Sequence, residues 1–197
     1  MSNENKNTKT YKIDWPKYKP LDEWLKGQPT ETWKETFEKD GYLVVHGLID
    51  KDFVEIYKDV YMKLLNGEID TRRHRQDLGC NEPQKTQVEN ICQIMWPHLY
   101  VPSLMEGPLS ERVQAINKII IGPDAAFDFN MLISKVALDQ STVDNGCMWF
   151  VPGSHKLPLR KHWPASKGAH VLQCECTEGL DETKRDDVVI IRREVNN

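Results

Sequence analysis

An apolar stripe at helical spacing between residues 53 and 65 limits the possible folds of this chain more than any other feature. Its members recur every three or four residues and are Phe53, Ile56, Tyr57, Val60, Tyr61, Leu64 and Leu65. Asp50 is placed to cap the predicted helix, and Asn66-Gly67 is placed to end it. One face of this helix must therefore pack on a core that the rest of the chain supplies.

Two further helices are predicted from the same periodicity. The first spans Thr32 to Lys39, where Thr32 and Glu35 form a capping box and Asp40-Gly41 stops the helix. The second runs from about Pro108 to Lys118. The apolar residues in register on that second helix are Leu109, Val113 and Ile116.

Strand patterns dominate after residue 122. Apolar and polar residues alternate from Phe127 to Ile133, and Cys147–Val151 is a compact apolar run. A short strand is also predicted at Tyr42–Val45, and weaker strands at 171–174 and 188–191. Because helices come first and strands later, the order predicts an α+β domain with a sandwich or barrel-like half.

Composition excludes several classes of protein. The length of 197 residues fits one domain, and a net charge of −4 disfavours nucleic-acid binding. No apolar run approaches the roughly 20 residues that span a bilayer. Residues 1–10 lack the apolar segment of a secretory leader. We therefore expect a cytoplasmic protein with no nucleic-acid partner and no membrane partner.

Cysteines and a basic run offer weaker signals. The five cysteines are expected to be reduced thiols. Cys174 and Cys176 would share one face of a strand, but two sulfurs supply only half of a tetrahedral metal site. Arg72-Arg73-His74-Arg75, in a loop-like stretch from 67 to 90, is predicted to be solvated, with anion binding as the alternative.

Four segments together resemble the phytanoyl-CoA dioxygenase family of Fe(II)- and 2-oxoglutarate-dependent oxygenases. They are residues 40–45 (Asp-Gly-Tyr-Leu-Val-Val), 116–118 (Ile-Asn-Lys), 131–135 (Met-Leu-Ile-Ser-Lys) and 144–156 (Asp-Asn-Gly-Cys-Met-Trp-Phe-Val-Pro-Gly-Ser-His-Lys). The last is the most specific, and the resemblance extends from about residue 32 to about residue 176.

The resemblance implies a double-stranded β-helix, or jelly roll, with the N-terminal helices packed on one side. It also implies an Fe(II) ion held by two histidines and a carboxylate, with open positions for 2-oxoglutarate and O2. Lys118 and Met131 match family positions that line the 2-oxoglutarate site. The implied substrate is a small molecule or an acyl-CoA-like compound.

The sequence lacks the metal ligands that the family uses. The family places a His-x-Asp motif between the Met-x-x-x-Lys strand and the Asn-Gly-Cys strand. The residues found two positions after the six histidines are Leu48, Gln76, Tyr100, Leu157, Pro164 and Leu172. Lys135 runs directly into residues 136–139, which resemble the strand that normally follows the motif. No Gly-x-x-x-His strand follows Cys176, so we expect this chain not to bind iron.

Each remaining candidate residue has a structural alternative. Lys118 is either a charge-assisted donor to a dicarboxylate or a solvated lysine at a helix end. Met131 either lines the site or packs in the core. His155 is expected to stabilise a turn, or to support a metal ligand by hydrogen bonding, rather than to bind metal itself. The basic stretch from Lys156 to Lys167 is either solvated or contacts acyl-CoA phosphates.

We therefore expect a polar N-terminal extension at residues 1–31 and one phytanoyl-CoA dioxygenase-like domain at 32–197. The jelly roll would be incomplete because it lacks the metal-ligand segments. The predicted protein is catalytically inactive as written and associates with itself through exposed sheet edges. The alternatives are an active dioxygenase in a full-length form and a non-catalytic binding module.

Overall fold

The computed structural model describes residues 10–77, 92–133, 149–158, 161–164, 174–176 and 186–187. Within these ranges the helices are α1 (Leu21–Lys26), α2 (Thr30–Asp40), α3 (Lys51–Leu65) and α4 (Pro108–Ile120). The strands are β1 (Arg75–Asp77), β2 (Cys92–Met95), β3 (Met131–Ile133), β4 (Trp149–Phe150), β5 (His162–Pro164), β6 (Cys174–Cys176) and β7 (Asp186–Asp187). Helices and antiparallel sheets confirm the α+β class.

The largest sheet has the strand order β1-β2-β3, and both of its pairings are antiparallel. Met95 of β2 lies opposite Met131 of β3, and Ile94 lies opposite Leu132. Two smaller antiparallel pairs join β4 to β7 and β5 to β6.

The described residues fall into two compact units. The first contains residues 10–28 and 47–133, and therefore α1, α3, α4 and the three-stranded sheet. The second contains Pro29–His46 and the described residues from 149 onward, with α2 and strands β4 to β7. The predicted domain boundary between residues 31 and 32 stays a prediction.

The core of the first unit lies where α3 packs on the sheet. Val60 and Leu64 of α3 are buried in one cluster with Cys92 and Ile94 of β2. Leu132 of β3 packs against the same cluster. Removal of these side chains from water supplies the main stabilisation of this unit, at roughly 25 cal/mol per Å² of apolar surface. The predicted apolar stripe therefore does meet a core.

The polar N-terminal segment also contributes to this core. Ile13 is buried in the cluster, and its backbone N–H donates to Oγ of Ser103 at 2.8 Å. The indole N–H of Trp15 donates to the carbonyl of Ser103 at 2.8 Å, and the backbone N–H of Tyr11 donates to the carbonyl of Tyr100 at 3.0 Å. These bonds fasten the segment along the turn at residues 100–103.

A buried arginine connects α4 to the loop that precedes α3. Arg112 is only 2% exposed, and its Nη1 donates to the carbonyl oxygen of Leu48. Its guanidinium carbon lies 5.1 Å from the ring centroid of Trp24 on α1, in cation–π geometry. The indole N–H of Trp24 donates to the neighbouring carbonyl of Gly47 at 2.9 Å. One loop thus accepts hydrogen bonds from both α1 and α4.

The predicted helices exist, but some details of their termini and faces are wrong. The capping box at Thr32 is wrong, because α2 begins at Thr30 and the Thr32 hydroxyl donates to the Pro29 carbonyl at 3.0 Å. Asp50 occupies the N-cap position of α3 without a side-chain capping bond. On α4 the buried face contains Pro108, Arg112 and Ile116, whereas Val113 is exposed.

The strand predictions were less accurate. Tyr42–Val45 is not a strand, and Val44 in its centre is exposed rather than taken into a core. Of the alternating run from Phe127, only Met131–Ile133 pairs as a strand. The prediction at 147–151 is confirmed for Trp149–Phe150. Residues 188–191 lie outside the described residues, as do residues 171–173.

Truncation of the buried arginine should destabilise the protein. We expect Arg112→Ala to lower the free energy of unfolding by about 3 kcal/mol, because a large buried side chain and its hydrogen bond are lost. Arg73→Ala, at an exposed arginine, should change it by less than about 0.5 kcal/mol. Urea denaturation of both variants measures this, and equal midpoints would contradict the structural role of Arg112.

Candidate functional site

Lys118 lies in the last turn of α4, where its side chain is exposed. A cation in this position interacts favourably with the carboxyl end of the helix. No hydrogen bond joins Lys118 to Met131, the other predicted site residue, in the described structure. The location therefore agrees with the helix-end alternative, and the 2-oxoglutarate role of Lys118 remains a proposal.

Met131 begins β3 on the sheet face that α3 does not cover. Leu132 packs against the core. Because side chains alternate along a strand, the side chain of Met131 is on the other face of the sheet. Its cross-strand partner Met95 shares the uncovered face. The Nε2 of Gln93 donates to the sulfur atoms of both methionines, at 3.2 Å for Met95. Met131 is 41% exposed, so the core-packing alternative for this residue is wrong.

His74 and His98 in the first unit each bond to a neighbouring side chain through Nδ1. The Tyr100 hydroxyl and Nδ1 of His74 are 2.9 Å apart, and the His74 ring makes an edge contact with Trp96. The Nδ1 of His98 bonds to the side-chain oxygen of Asn130. The sequence placed His74 in the basic run at residues 72–75 and gave no signal for the bond between His98 and Asn130. In the described ranges, no three His, Cys, Asp or Glu residues are grouped to hold a metal ion.

The basic run at residues 72–75 is used mainly for local structure. Arg72 pairs with Asp70 through Nε at 2.9 Å and Nη2 at 2.6 Å, and this hydrogen-bonded pair lowers the pKa of Asp70 to about 2. Arg75 donates to the carbonyls of Leu64 at 2.9 Å and Leu65 at 2.7 Å, at the carboxyl end of α3. Arg73 is exposed, which agrees with the solvated prediction for that residue.

The Pro-Gly-Ser-His segment closes the carboxyl end of α2 within the second unit. The backbone N–H of Gly153 donates to the carbonyl of Asp40 at 2.9 Å. The Nε2 of His155 lies 3.1 Å from the carbonyl oxygen of Glu38 and donates to it. Two of the helix carbonyls that lack a partner within the helix are therefore satisfied from this segment.

Gly41 makes this closure sterically possible. Its φ of +83° is a left-handed conformation that ends α2, and a Cβ at this position would lie 2.2 Å from Nδ1 of His155. Tyr42 and Phe150 add a ring contact at 5.1 Å between centroids. The expectation that His155 stabilises a turn is confirmed by these contacts, and the turn at 152–154 is present with Gly153 at φ +74°.

The family model for phytanoyl-CoA dioxygenase (PhyH) matches residues 37–184, which is more than half of the chain. The chain therefore belongs to the phytanoyl-CoA dioxygenase family. Members of this family generally depend on Fe(II) and 2-oxoglutarate and act on small molecules. No curated protein and no solved structure matched the chain. No helix among the described residues is long and apolar enough to cross a membrane.

A double-mutant cycle tests the contact between Gly41 and His155. Gly41→Ala should cost about 1 kcal/mol for the left-handed backbone and about 1 to 2 kcal/mol more for the clash with the imidazole. In a His155→Ala background only the backbone cost should remain. Chemical denaturation of the four proteins in the cycle measures the difference.

Gly47→Ala is the matched control for that cycle. Gly47 has φ +65°, and nothing lies within 4 Å of the position of an added Cβ. Its substitution should therefore carry the backbone cost alone, with or without His155. Additive effects of Gly41→Ala and His155→Ala would contradict the described contact.

Proposed function

We propose that this chain is a phytanoyl-CoA dioxygenase-family protein that does not perform the family's oxygenase reaction in the form written here. The main support for this proposal comes from residues 136–144 of the sequence. Between Lys135 and Asn145, where the family places His-x-Asp, the nine residues Val-Ala-Leu-Asp-Gln-Ser-Thr-Val-Asp contain no histidine. An Fe(II) centre with two open positions needs protein ligands on one face of the metal, and these residues supply no imidazole.

The donor set of the described residues supports the same proposal. His74 and His98 each have Nδ1 bonded to a neighbouring side chain, and His155 has Nε2 bonded to a helix carbonyl. No described cluster unites these rings with a carboxylate. The described residues therefore do not fit the family's iron site.

The proposed architecture is an incomplete jelly roll. Its support is a three-stranded antiparallel sheet covered by α3 on one face, followed by short paired strands in the second unit. Antiparallel strand pairs of this kind are compatible with a double-stranded β-helix that has lost strands. Cytoplasmic localisation stays a prediction.

Calorimetric titration with Mn(II), a redox-stable substitute for Fe(II), tests the central proposal. We expect no stoichiometric heat of Mn(II) binding, with or without 2-oxoglutarate, because three protein ligands are needed for a stable site. The control is a variant with a His-x-Asp motif inserted between Lys135 and Val136, in which Mn(II) binding should be partly recovered. Stoichiometric Mn(II) binding by the unaltered chain would overturn the proposal and favour an active dioxygenase.

A binding module is the second candidate, and the uncovered sheet face favours it. Gln93, Met95 and Met131 share this face, and an amide between two thioethers can contact a small organic ligand. Metal-free binding of 2-oxoglutarate that is lost in Lys118→Ala would support this function. The same titration without Mn(II) supplies the measurement.

We expect the chain to associate with itself. Phe127 and Phe129 are 45% and 48% exposed on the segment that leads into β3, which lies at the edge of the described three-stranded sheet. Edge strands with exposed apolar side chains pair readily with other chains. An acyl-CoA-like substrate remains the small-molecule expectation for the family.

Substitution of both phenylalanines should shift the protein towards monomer. We expect Phe127→Ser/Phe129→Ser to lower the oligomer fraction at micromolar concentration in light scattering coupled to size exclusion, because the apolar surface is removed. Ile121→Ser, at another exposed apolar residue, is the control and should leave the fraction unchanged. An unaltered chain that is already a cooperative monomer at this concentration would contradict the prediction.

A further inference from the structure

Two methionines in the first unit have nearly equal exposure and different surroundings. Met131 on β3 is 41% exposed, and Met62 on α3 is 40% exposed. The sulfur of Met131 accepts a hydrogen bond from Nε2 of Gln93, whereas no described residue donates to the sulfur of Met62. The two methionines are thus equally exposed as whole residues, and the neighbouring amide is a difference between them.

We propose that Met131 is a site of oxidation by peroxides, and that Gln93 directs oxidation to it. The sulfur lone pair attacks one peroxide oxygen, the S–O bond forms, and the O–O bond breaks. The second oxygen leaves as hydroxide and takes up the proton of the transferred hydroxyl group, which gives water and the sulfoxide. The thioether is oxidised to the sulfoxide, and the peroxide is reduced.

The position of Gln93 explains the preference. Oxidation places a growing negative charge on the new oxygen, and that oxygen is a stronger hydrogen-bond acceptor than the sulfur it replaces. The Gln93 amide sits beside the Met131 sulfur because Gln93, Met95 and Met131 share one face of the β2–β3 pair. A small movement of this amide lets it donate to the sulfoxide oxygen.

The remaining exposure of Met131 keeps its sulfur reactive. Because a hydrogen bond to sulfur lowers its nucleophilicity, the preference requires the Gln93 amide to shift from the sulfur to the new oxygen as the S–O bond forms. Met95 accepts a hydrogen bond from the same Gln93 amide but is half-buried. We therefore expect oxidation of Met95 to follow that of Met131. The product would replace an apolar group on the uncovered sheet face by a strongly polar one.

Peptide mass spectrometry after limited treatment of the full chain with hydrogen peroxide tests the proposal. The ratio of the Met131 to the Met62 oxidation rate should be at least about threefold, which corresponds to the lower range of a net hydrogen-bond contribution. Gln93→Leu should bring this ratio to about one, whereas Gln114→Leu, which removes an amide on α4, should leave it unchanged.

The Met62 rate also serves as an internal control for unfolding. If Gln93→Leu unfolds the chain, the oxidation rates of Met131 and Met62 rise together to those measured in guanidinium chloride. In that case Gln93→Asn, which keeps a shorter amide donor, is used in place of Gln93→Leu. It should lower the ratio of the Met131 rate to the Met62 rate. Equal rates for Met131 and Met62 in the unaltered protein would overturn the proposal. A high ratio that survives removal or shortening of the Gln93 amide would overturn it as well.

Discussion

Burial of one face of α3 against β2 is the interaction on which the first unit depends. Val60 and Leu64 meet Cys92 and Ile94 in one buried cluster, which Ile13 of the N-terminal segment also joins. Because α3 occupies one face of the sheet, β2 and β3 can present polar and thioether side chains on the other face. Packing thus determines which side of the sheet stays uncovered by α3.

The most family-specific segment of the chain has a structural role in the second unit. Gly153 and His155 satisfy carbonyls at the end of α2, and the close approach of the imidazole requires a glycine at position 41. A histidine within a recognisable motif is easily taken for a metal ligand. Here one ring nitrogen is engaged by the backbone and the other faces Gly41.

The sequence predicted elements whose signal is local and missed those that depend on tertiary partners. The α3 stripe and the Gly41 and Asn66-Gly67 stops were correct because periodicity and left-handed glycines act within one turn. Strand β2 was missed, although Cys92 and Ile94 alternate with Gln93 and Met95, because four residues are too few to indicate a strand without its neighbours.

The same distinction applies to the candidate site. The absence of His-x-Asp is visible in the sequence, whereas the Gln93 amide between two sulfurs depends on strand register, which no local pattern supplies.

The docking of the N-terminal segment has a practical consequence for any fragment of this protein. The family match begins at residue 37, yet Ile13 is buried beside Val101 and Trp15 is bonded to Ser103. An expression fragment that begins at residue 37 would lack α1 and the N-terminal segment that contains Ile13 and Trp15. It would therefore expose the apolar cluster against which Ile13 packs. The family match therefore begins after residues that belong to the first compact unit.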